Sequence, residues 1–150
     1  MILVMIVKDN NNLLDYNQWC ADYDKNENIF YHGAGMKVQC SNEISSIGEN
    51  SFKIIKIGTT QIWAEVRKTS NNTQFTGVID VYNPNNMGTF IMVLTYTDNT
   101  QSSTNIYIPP SDVLQKDISC NIDAINGKSV SHVSLRVSLD KGYTDNLRLN

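Results

Sequence analysis

The sequence has 150 residues, of which 41% are hydrophobic and 18% charged, and its net charge at pH 7 is −3. The length predicts a single domain over residues 1–150, and no apolar run approaches the roughly 18 residues of a transmembrane helix. No run of consecutive Lys and Arg residues is longer than two. The chain therefore lacks the basic surface patch of proteins that bind nucleic acid or membrane surfaces. We therefore expect neither as a partner.

Residue usage favours strands over helices. The chain has four Ala and four Glu against sixteen Ile, eleven Val and eleven Thr, and the last three types are the strand formers. Asn occurs nineteen times, and its side chain stabilises turns by replacing backbone hydrogen bonds. This composition predicts many short strands joined by Asn-rich loops.

Hydrophobic residues follow different patterns along the chain. An apolar segment at 1–7 is too short and too uncharged at its start for a signal peptide, so none is expected. Further along, apolar residues alternate with polar ones, as in half-buried strands. Strands are predicted from residue 30, at 36–40, 52–57, 61–68, 75–82, 89–97, 104–108, 118–122, 132–139 and 142–149. Eight to ten short strands with frequent turns predict an all-β fold, a jelly-roll β-sandwich of two antiparallel sheets.

Several short motifs occur in an order that is familiar from one family. They are Asn12-Leu13-Leu14, Trp19, Ser51-Phe52-Lys53-Ile54, Gln61-Ile62-Trp63, Asn83-Pro84, Asp98-Asn99 and the closing segment 143–149. The chain thereby resembles the jelly-roll carbohydrate-binding modules that accompany xylanases and cellulases. The closing strand, Tyr-Thr-Asp-Asn-Leu-Arg-Leu, is the most specific of these motifs.

The resemblance implies a structural calcium ion. In that family the closing Asp, here Asp145, holds calcium together with an acidic residue near the first strand. The family's early Phe-Glu pair is missing, so Asp9 or Asp15 would have to replace it. Calcium needs about six to eight oxygen ligands, and Asp145 can equally be a strand-end residue that accepts hydrogen bonds from backbone N–H groups.

Candidate ligand-binding residues lie at the polar positions of three predicted strands. A stacking aromatic ring with a few polar groups is typical of a sugar site. Trp63 alternates in phase with Glu65 and Arg67, and the other strands contribute Asp80, Tyr82, His132 and Arg136. If these strands share a sheet, the side chains form one glycan-binding face. The alternatives are a solvated sheet face and, for Trp63, a core residue covered by a loop.

Three cysteines, Cys20, Cys40 and Cys120, have no CxxC spacing. We expect three free thiols in a reducing compartment. The alternative is one disulfide and one free thiol, if the protein functions outside a cell.

The sequence contains no catalytic motif of the GxSxG type and no partner motif for either His, so no catalytic residues are assigned. The leading hypothesis is a non-catalytic adhesion module of a phage virion (head fibre, tail or baseplate) that binds a host-surface glycan. We expect it to be made in the cytoplasm and to reside in the virion, with other virion proteins or its own copies as further partners. The alternatives are an extracellular carbohydrate-binding module of a secreted glycan-degrading enzyme or adhesin, and a purely structural virion decoration protein.

Overall fold

The computed structural model describes residues 12–14, 20 and 29–150. Within these residues, ten strands form two antiparallel five-stranded sheets. The strands are β1 (Ile29–His32), β2 (Met36–Ser41), β3 (Ser51–Lys56), β4 (Ala64–Thr69), β5 (Gln74–Tyr82), β6 (Gly88–Tyr96), β7 (Gln101–Ile108), β8 (Gln115–Asp123), β9 (Val130–Ser138) and β10 (Lys141–Leu149). The predicted all-β sandwich of two antiparallel sheets is confirmed. The apolar segment at 1–7 lies outside the described residues.

The sheets differ in which strands they combine. Sheet A has the order β1-β4-β9-β6-β7, and sheet B has the order β2-β3-β10-β5-β8. Every neighbouring pair is antiparallel. The pairs β2–β3 and β6–β7 join consecutive strands, and the other pairs join strands that are distant in sequence. No helix among the described residues is both long and apolar enough to cross a membrane.

One apolar core lies between the sheets. Alternate residues of strand β6 point into it, and Phe90, Met92 and Leu94 are fully buried. Leu135 on β9 packs into the same cluster. Close packing requires Gly77 on β5, because a Cβ atom there would lie 2.5 Å from Leu135 Cδ2. For β5 and β9, the period-two pattern of the sequence therefore identifies the core side correctly.

Most strand ends lie within two residues of their predicted positions, but three strands begin three residues away from them. Strand β8 begins at Gln115 and not at 118. Strand β4 begins at Ala64 and not at residue 61, because Gln61 has a φ of 53° in the left-handed region, which is incompatible with an extended strand. Strand β7 begins at Gln101 and not at 104, since the hairpin before it is tight. In that hairpin Asn99 has a φ of 67°, and Asp98 Oδ1 accepts a 3.0 Å hydrogen bond from the Thr100 N–H.

A disulfide joins Cys20 to Cys40 on β2, whereas Cys120 is a free, buried cysteine. The expectation of three free thiols is wrong, and the alternative with one disulfide is correct. The two cysteines are 20 residues apart, a separation that matches no short cysteine motif such as CxxC. The bond attaches the chain before β1 to an edge strand of sheet B.

Denatured but unreduced protein is expected to contain one reactive thiol per chain, and reduced protein three, when thiols are counted with Ellman's reagent. Closing a loop of about 20 residues stabilises a fold by roughly 3 kcal/mol in the chain-entropy model. Reduction should therefore lower the free energy of unfolding by about that amount in urea titrations. The Cys20→Ser/Cys40→Ser double variant is the control, and it should match the reduced wild type. Three thiols before reduction would contradict the disulfide.

Candidate functional site

Trp63 is positioned by the turn between β1 and β2. The Gly33 N–H donates a 2.9 Å hydrogen bond to the Trp63 carbonyl, and the Gly35 N–H donates one of 3.2 Å to the Gln61 carbonyl. A Cβ atom on Gly33 would lie only 1.8 Å from the Gln61 oxygen, so glycine is required for this close approach. Trp63 thus ends a segment that is held by backbone contacts, and it is partly exposed.

Glu65 pairs with arginines on the outer face of sheet A. Its side chain is only 4% exposed, although its neighbours Ala64 and Val66 face the core. Arg136 Nε donates a 3.0 Å hydrogen bond to Glu65 Oε1 across the β4–β9 pair, and Arg67 contacts Oε2 at 3.5 Å. This outer face therefore holds a sheltered carboxylate with two cations around it.

The Arg136 guanidinium also contacts Trp63, with its central carbon 5.4 Å from the ring centroid. This distance is typical of a cation–π interaction. Because Trp63 contacts a side chain of the outer face, it does not lie in the core between the sheets. The structure thus brings Trp63, Glu65, Arg67 and Arg136 together on one face, because the strands that carry them share sheet A.

A second aromatic ring lies at the same end of this face. Tyr107 on β7 alternates with the core residues Ile106 and Ile108 and is 70% exposed. Tyr107 pairs with Thr89 on β6, and Thr89 pairs with Ser138 on β9. If the β4–β9 register is continued by one residue beyond the Ala64–Val137 pair, Ser138 lies opposite Trp63. Three strand spacings separate the Trp63 and Tyr107 backbones by about 14 Å. Sequence reasoning missed Tyr107, although its alternation with two isoleucines was visible.

The surface between the two rings is mainly polar. Ser138 on β9 and Thr89 on β6 lie in the row that joins the rings. In the next row along the strands, half-buried Ile91 on β6 lies between Arg136 on β9 and exposed Asn105 on β7. The two rings supply apolar area, and apolar area with a few placed polar groups is the usual composition of a small-molecule site.

His132 lies farther along the outer face of sheet A, opposite Thr69 on β4. Partial burial lowers the pKa of the imidazole below its ordinary 6.5, and the charge of Arg67 lowers it further. Glu65 acts in the opposite direction. The neutral imidazole is therefore the favoured form of His132 at pH 7.

The prediction that all candidate residues share one face is wrong for Asp80 and Tyr82. Both lie on β5 of sheet B, whereas Trp63 precedes β4 of sheet A, so the core separates them. Tyr82 packs against Tyr143 with ring centroids 6.1 Å apart, and Lys53 lies over the Tyr143 ring. Alternation in the sequence shows that a residue faces outward, but it does not show from which sheet.

Asp80 and Asp145 form a buried cluster on the outer side of sheet B. Their exposed fractions are 2% and 1%, and both accept hydrogen bonds from the Ser46 hydroxyl. Asp145 Oδ2 also accepts from the backbone N–H groups of Ser46 and Ile47, at 2.7 and 2.9 Å. Burial raises the pKa of Asp145, and these N–H donors oppose that rise. Asp145 therefore attaches the β2–β3 loop to sheet B.

These surroundings do not fit a calcium ion at Asp145. Calcium requires a shell of oxygen ligands, but N–H donors occupy Oδ2, and Oδ1 accepts from the Asn146 N–H at 2.8 Å. In the described part of the chain, no group of three or more His, Cys, Asp or Glu residues has the arrangement of a metal site. Asp9 and Asp15 lie outside that part, so the calcium ion implied by the family resemblance stays a prediction.

The sequence matches no protein-family model and no curated protein sequence. Several solved structures nevertheless have a similar fold. One is the enzymatically active domain of bacteriophage CBA120 tailspike protein 4 (TM-score 0.61, 12% identity), which the match covers over 93% of this chain and 21% of that one. This similarity therefore concerns about a fifth of the tailspike chain.

Two further similar structures come from Clostridium thermocellum xylanase 10B. In the CBM22-1–GH10 modules complexed with xylohexaose, the match has a TM-score of 0.64 and 9% identity, over 93% of this chain and 29% of that one. The C-terminal family 22 carbohydrate-binding module matches with a TM-score of 0.59 and 15% identity, over 94% of both chains. At such low identity the similarity shows the fold alone: this chain has the jelly-roll β-sandwich of carbohydrate-binding modules.

Asp145→Ala is expected to lower the free energy of unfolding by about 3 kcal/mol, because three backbone N–H groups lose a shared acceptor. Asp140→Ala is the matched control. Asp140 is half exposed and lies 3.6 Å from Lys56, so its loss should cost less than about 1 kcal/mol. Urea titrations of both variants provide the measurement. Equal stability of the two variants would show that Asp145 does not attach the loop.

His132 should titrate with a midpoint below 6.5 in NMR spectra. Because the folded-state pKa is lowered, the unfolded chain binds more protons as pH falls below about 6.5. The stabilisation from neutral His132 is therefore complete above that pH and is lost towards the folded-state pKa. The difference in unfolding free energy between wild type and His132→Gln should shrink as pH falls from 7.5 to 5. A midpoint above 6.5 would contradict this prediction.

Proposed function

We propose that this protein is a non-catalytic glycan-recognition module that binds its ligand on the outer face of sheet A. The observation that carries the proposal is the pair of aromatic rings, Trp63 and Tyr107, at one end of that face with hydroxyl side chains between them. Pyranose rings have an apolar face that stacks on such rings. Polar side chains nearby, among them Arg136 and Asn105, can bond to the hydroxyl groups.

The arrangement of carboxylates supports a binding role rather than glycoside hydrolysis. Hydrolysis by the common mechanisms needs two carboxyl groups on either side of one bond. Among the outward positions of the described strands β4, β9, β6 and β7, Glu65 is the one carboxylate, and it pairs with two arginines. Asp80 lies in the other sheet. The similar structure that matches over 94% of both chains is a carbohydrate-binding module, which agrees with this proposal.

We place the module in a phage virion, as part of a head fibre, tail or baseplate that contacts a host-surface glycan. The similarity in fold to a phage tailspike domain supports this setting. The Cys20–Cys40 disulfide is compatible with it, because disulfides persist on virion surfaces. Other virion proteins or further copies of the chain would then contact the remaining surface.

A second candidate function is the carbohydrate-binding module of a secreted glycan-degrading enzyme or adhesin. The observation that favours it is the match over 94% of both chains with a xylanase module, together with a disulfide typical of secreted proteins. The two settings share one binding face and differ in what is attached to the module. A longer parent gene encoding a signal peptide and a catalytic domain would support the second setting.

The first test is a glycan-array screen of wild type, Trp63→Ala and Tyr107→Ala. Loss of a stacking ring should cost at least about 1 kcal/mol, or roughly five-fold in affinity. Tyr82→Ala, on the opposite sheet, is the matched control and should bind like wild type. Folding of each variant is checked by its melting temperature.

Each other outcome of the screen identifies a different error. Weaker binding by Tyr82→Ala alone would move the site to sheet B. A folded wild type that binds no glycan would overturn the proposal and favour a structural decoration protein, whose exposed apolar side chains, such as Met87 and Val113, contact neighbouring copies.

A further inference from the structure

The outer face of sheet A differs in charge from the rest of the protein. At the outward positions of β4, β9, β6 and β7, the charged residues are Arg67, Arg136 and Glu65, so this face carries a net positive charge. The whole chain has a net charge of −3. Carboxylates on the other side of the sandwich, such as Asp80, Asp117 and Asp145, contribute to that difference.

The Arg136 guanidinium is oriented by a hydrogen bond and retains N–H donors for a ligand. Its Nε is hydrogen-bonded to the buried Glu65. Within the described part of the chain, no hydrogen bond involves its two terminal NH₂ groups, and its side chain is 31% exposed. A guanidinium carries five N–H donors in a planar fork that matches a carboxylate. Glu65 thus orients the fork and leaves its terminal donors for a ligand.

The Arg136 guanidinium lies next to Trp63, one of the rings on which we propose that the sugar stacks. The guanidinium carbon lies 5.4 Å from the centroid of the Trp63 ring. Because the guanidinium covers one face of the Trp63 ring, a sugar would stack on the other face and reach the free NH₂ groups with a substituent that extends past the edge of the ring. A neutral hydroxyl would use this charge poorly, whereas a carboxylate would accept two parallel hydrogen bonds from it.

We propose that the ligand is an acidic glycan whose uronic acid carboxylate binds to the terminal NH₂ groups of Arg136. This inference rests on the proposed function, since it specifies the ligand class of the same face. Arg67, which shares Glu65, adds a second positive charge. Specificity would thus come from a pair of features, a stacking ring for the sugar and a guanidinium for its carboxylate.

The test compares uronate-containing polysaccharides, namely alginate, polygalacturonate and glucuronoxylan, each with its carboxyl-reduced derivative. Affinity electrophoresis or calorimetry gives the binding constants. Wild type should bind at least one acidic polymer about ten-fold more tightly than its reduced form. Added salt should weaken that preference. A sulfated neutral polysaccharide is included as a source of negative charge without carboxylates.

Three variants distinguish the effect of the planar guanidinium geometry of Arg136 from the effect of its positive charge. Arg136→Gln should abolish the preference for the acidic polymer, and Arg136→Lys, which keeps the charge but not the fork, should retain only part of it. Arg148→Gln is the control, because Arg148 is about equally exposed (25%) but pairs with Asp80 and Asp117 on sheet B. It should leave the preference unchanged. If Arg136→Gln does not fold, the Lys variant and the salt dependence of wild type still decide the question.

Failure of this inference differs from failure of the proposed function. Equal binding of acidic and reduced polymers would overturn the carboxylate proposal and leave glycan recognition standing. Binding that requires sulfate instead of carboxylate would also overturn it. If no polymer of any kind binds to a folded wild type, both proposals are wrong.

Discussion

Burial of one apolar face from each of two sheets is the constraint on which the rest of this structure depends. Because side chains alternate along a strand, every residue that contributes to the core directs its sequence neighbours away from it. The core residues Val66 and Leu135 thereby place Arg67, Ser134 and Arg136 on the opposite face of sheet A. The candidate binding face is therefore a consequence of core formation, and the sandwich provides a rigid support for it.

The two outer faces use their charged residues differently. On sheet B, Asp80 and Asp145 are buried and satisfied by Ser46 and backbone N–H groups, so their role is to attach loops. On sheet A, the buried Glu65 pairs with arginines that remain partly exposed. Because these arginines keep solvent contact, a ligand can reach them, whereas Asp80 and Asp145 on sheet B are inaccessible.

The similarity to carbohydrate-binding modules and the geometry of sheet A support different conclusions, the first about the fold and the second about the ligand. Similar structures at 9–15% identity show how the chain folds, but a common sandwich hosts many functions. The case for a glycan ligand therefore depends on Trp63, Tyr107 and the polar side chains beside them. The Cys20–Cys40 disulfide adds an independent indication of an oxidising environment.

The sequence by itself determined the fold class and most strands, because alternation and turn residues are local properties of the chain. It also put Trp63, Glu65 and Arg67 on one side of a strand, whereas the pairing of β4 with β9 in the tertiary structure adds Arg136 to that face. Only the tertiary structure decided that Asp80 and Tyr82 belong to the other sheet, and that Cys20 pairs with Cys40. Strand pairing and disulfide formation join residues far apart in sequence, and no local pattern specifies such partners.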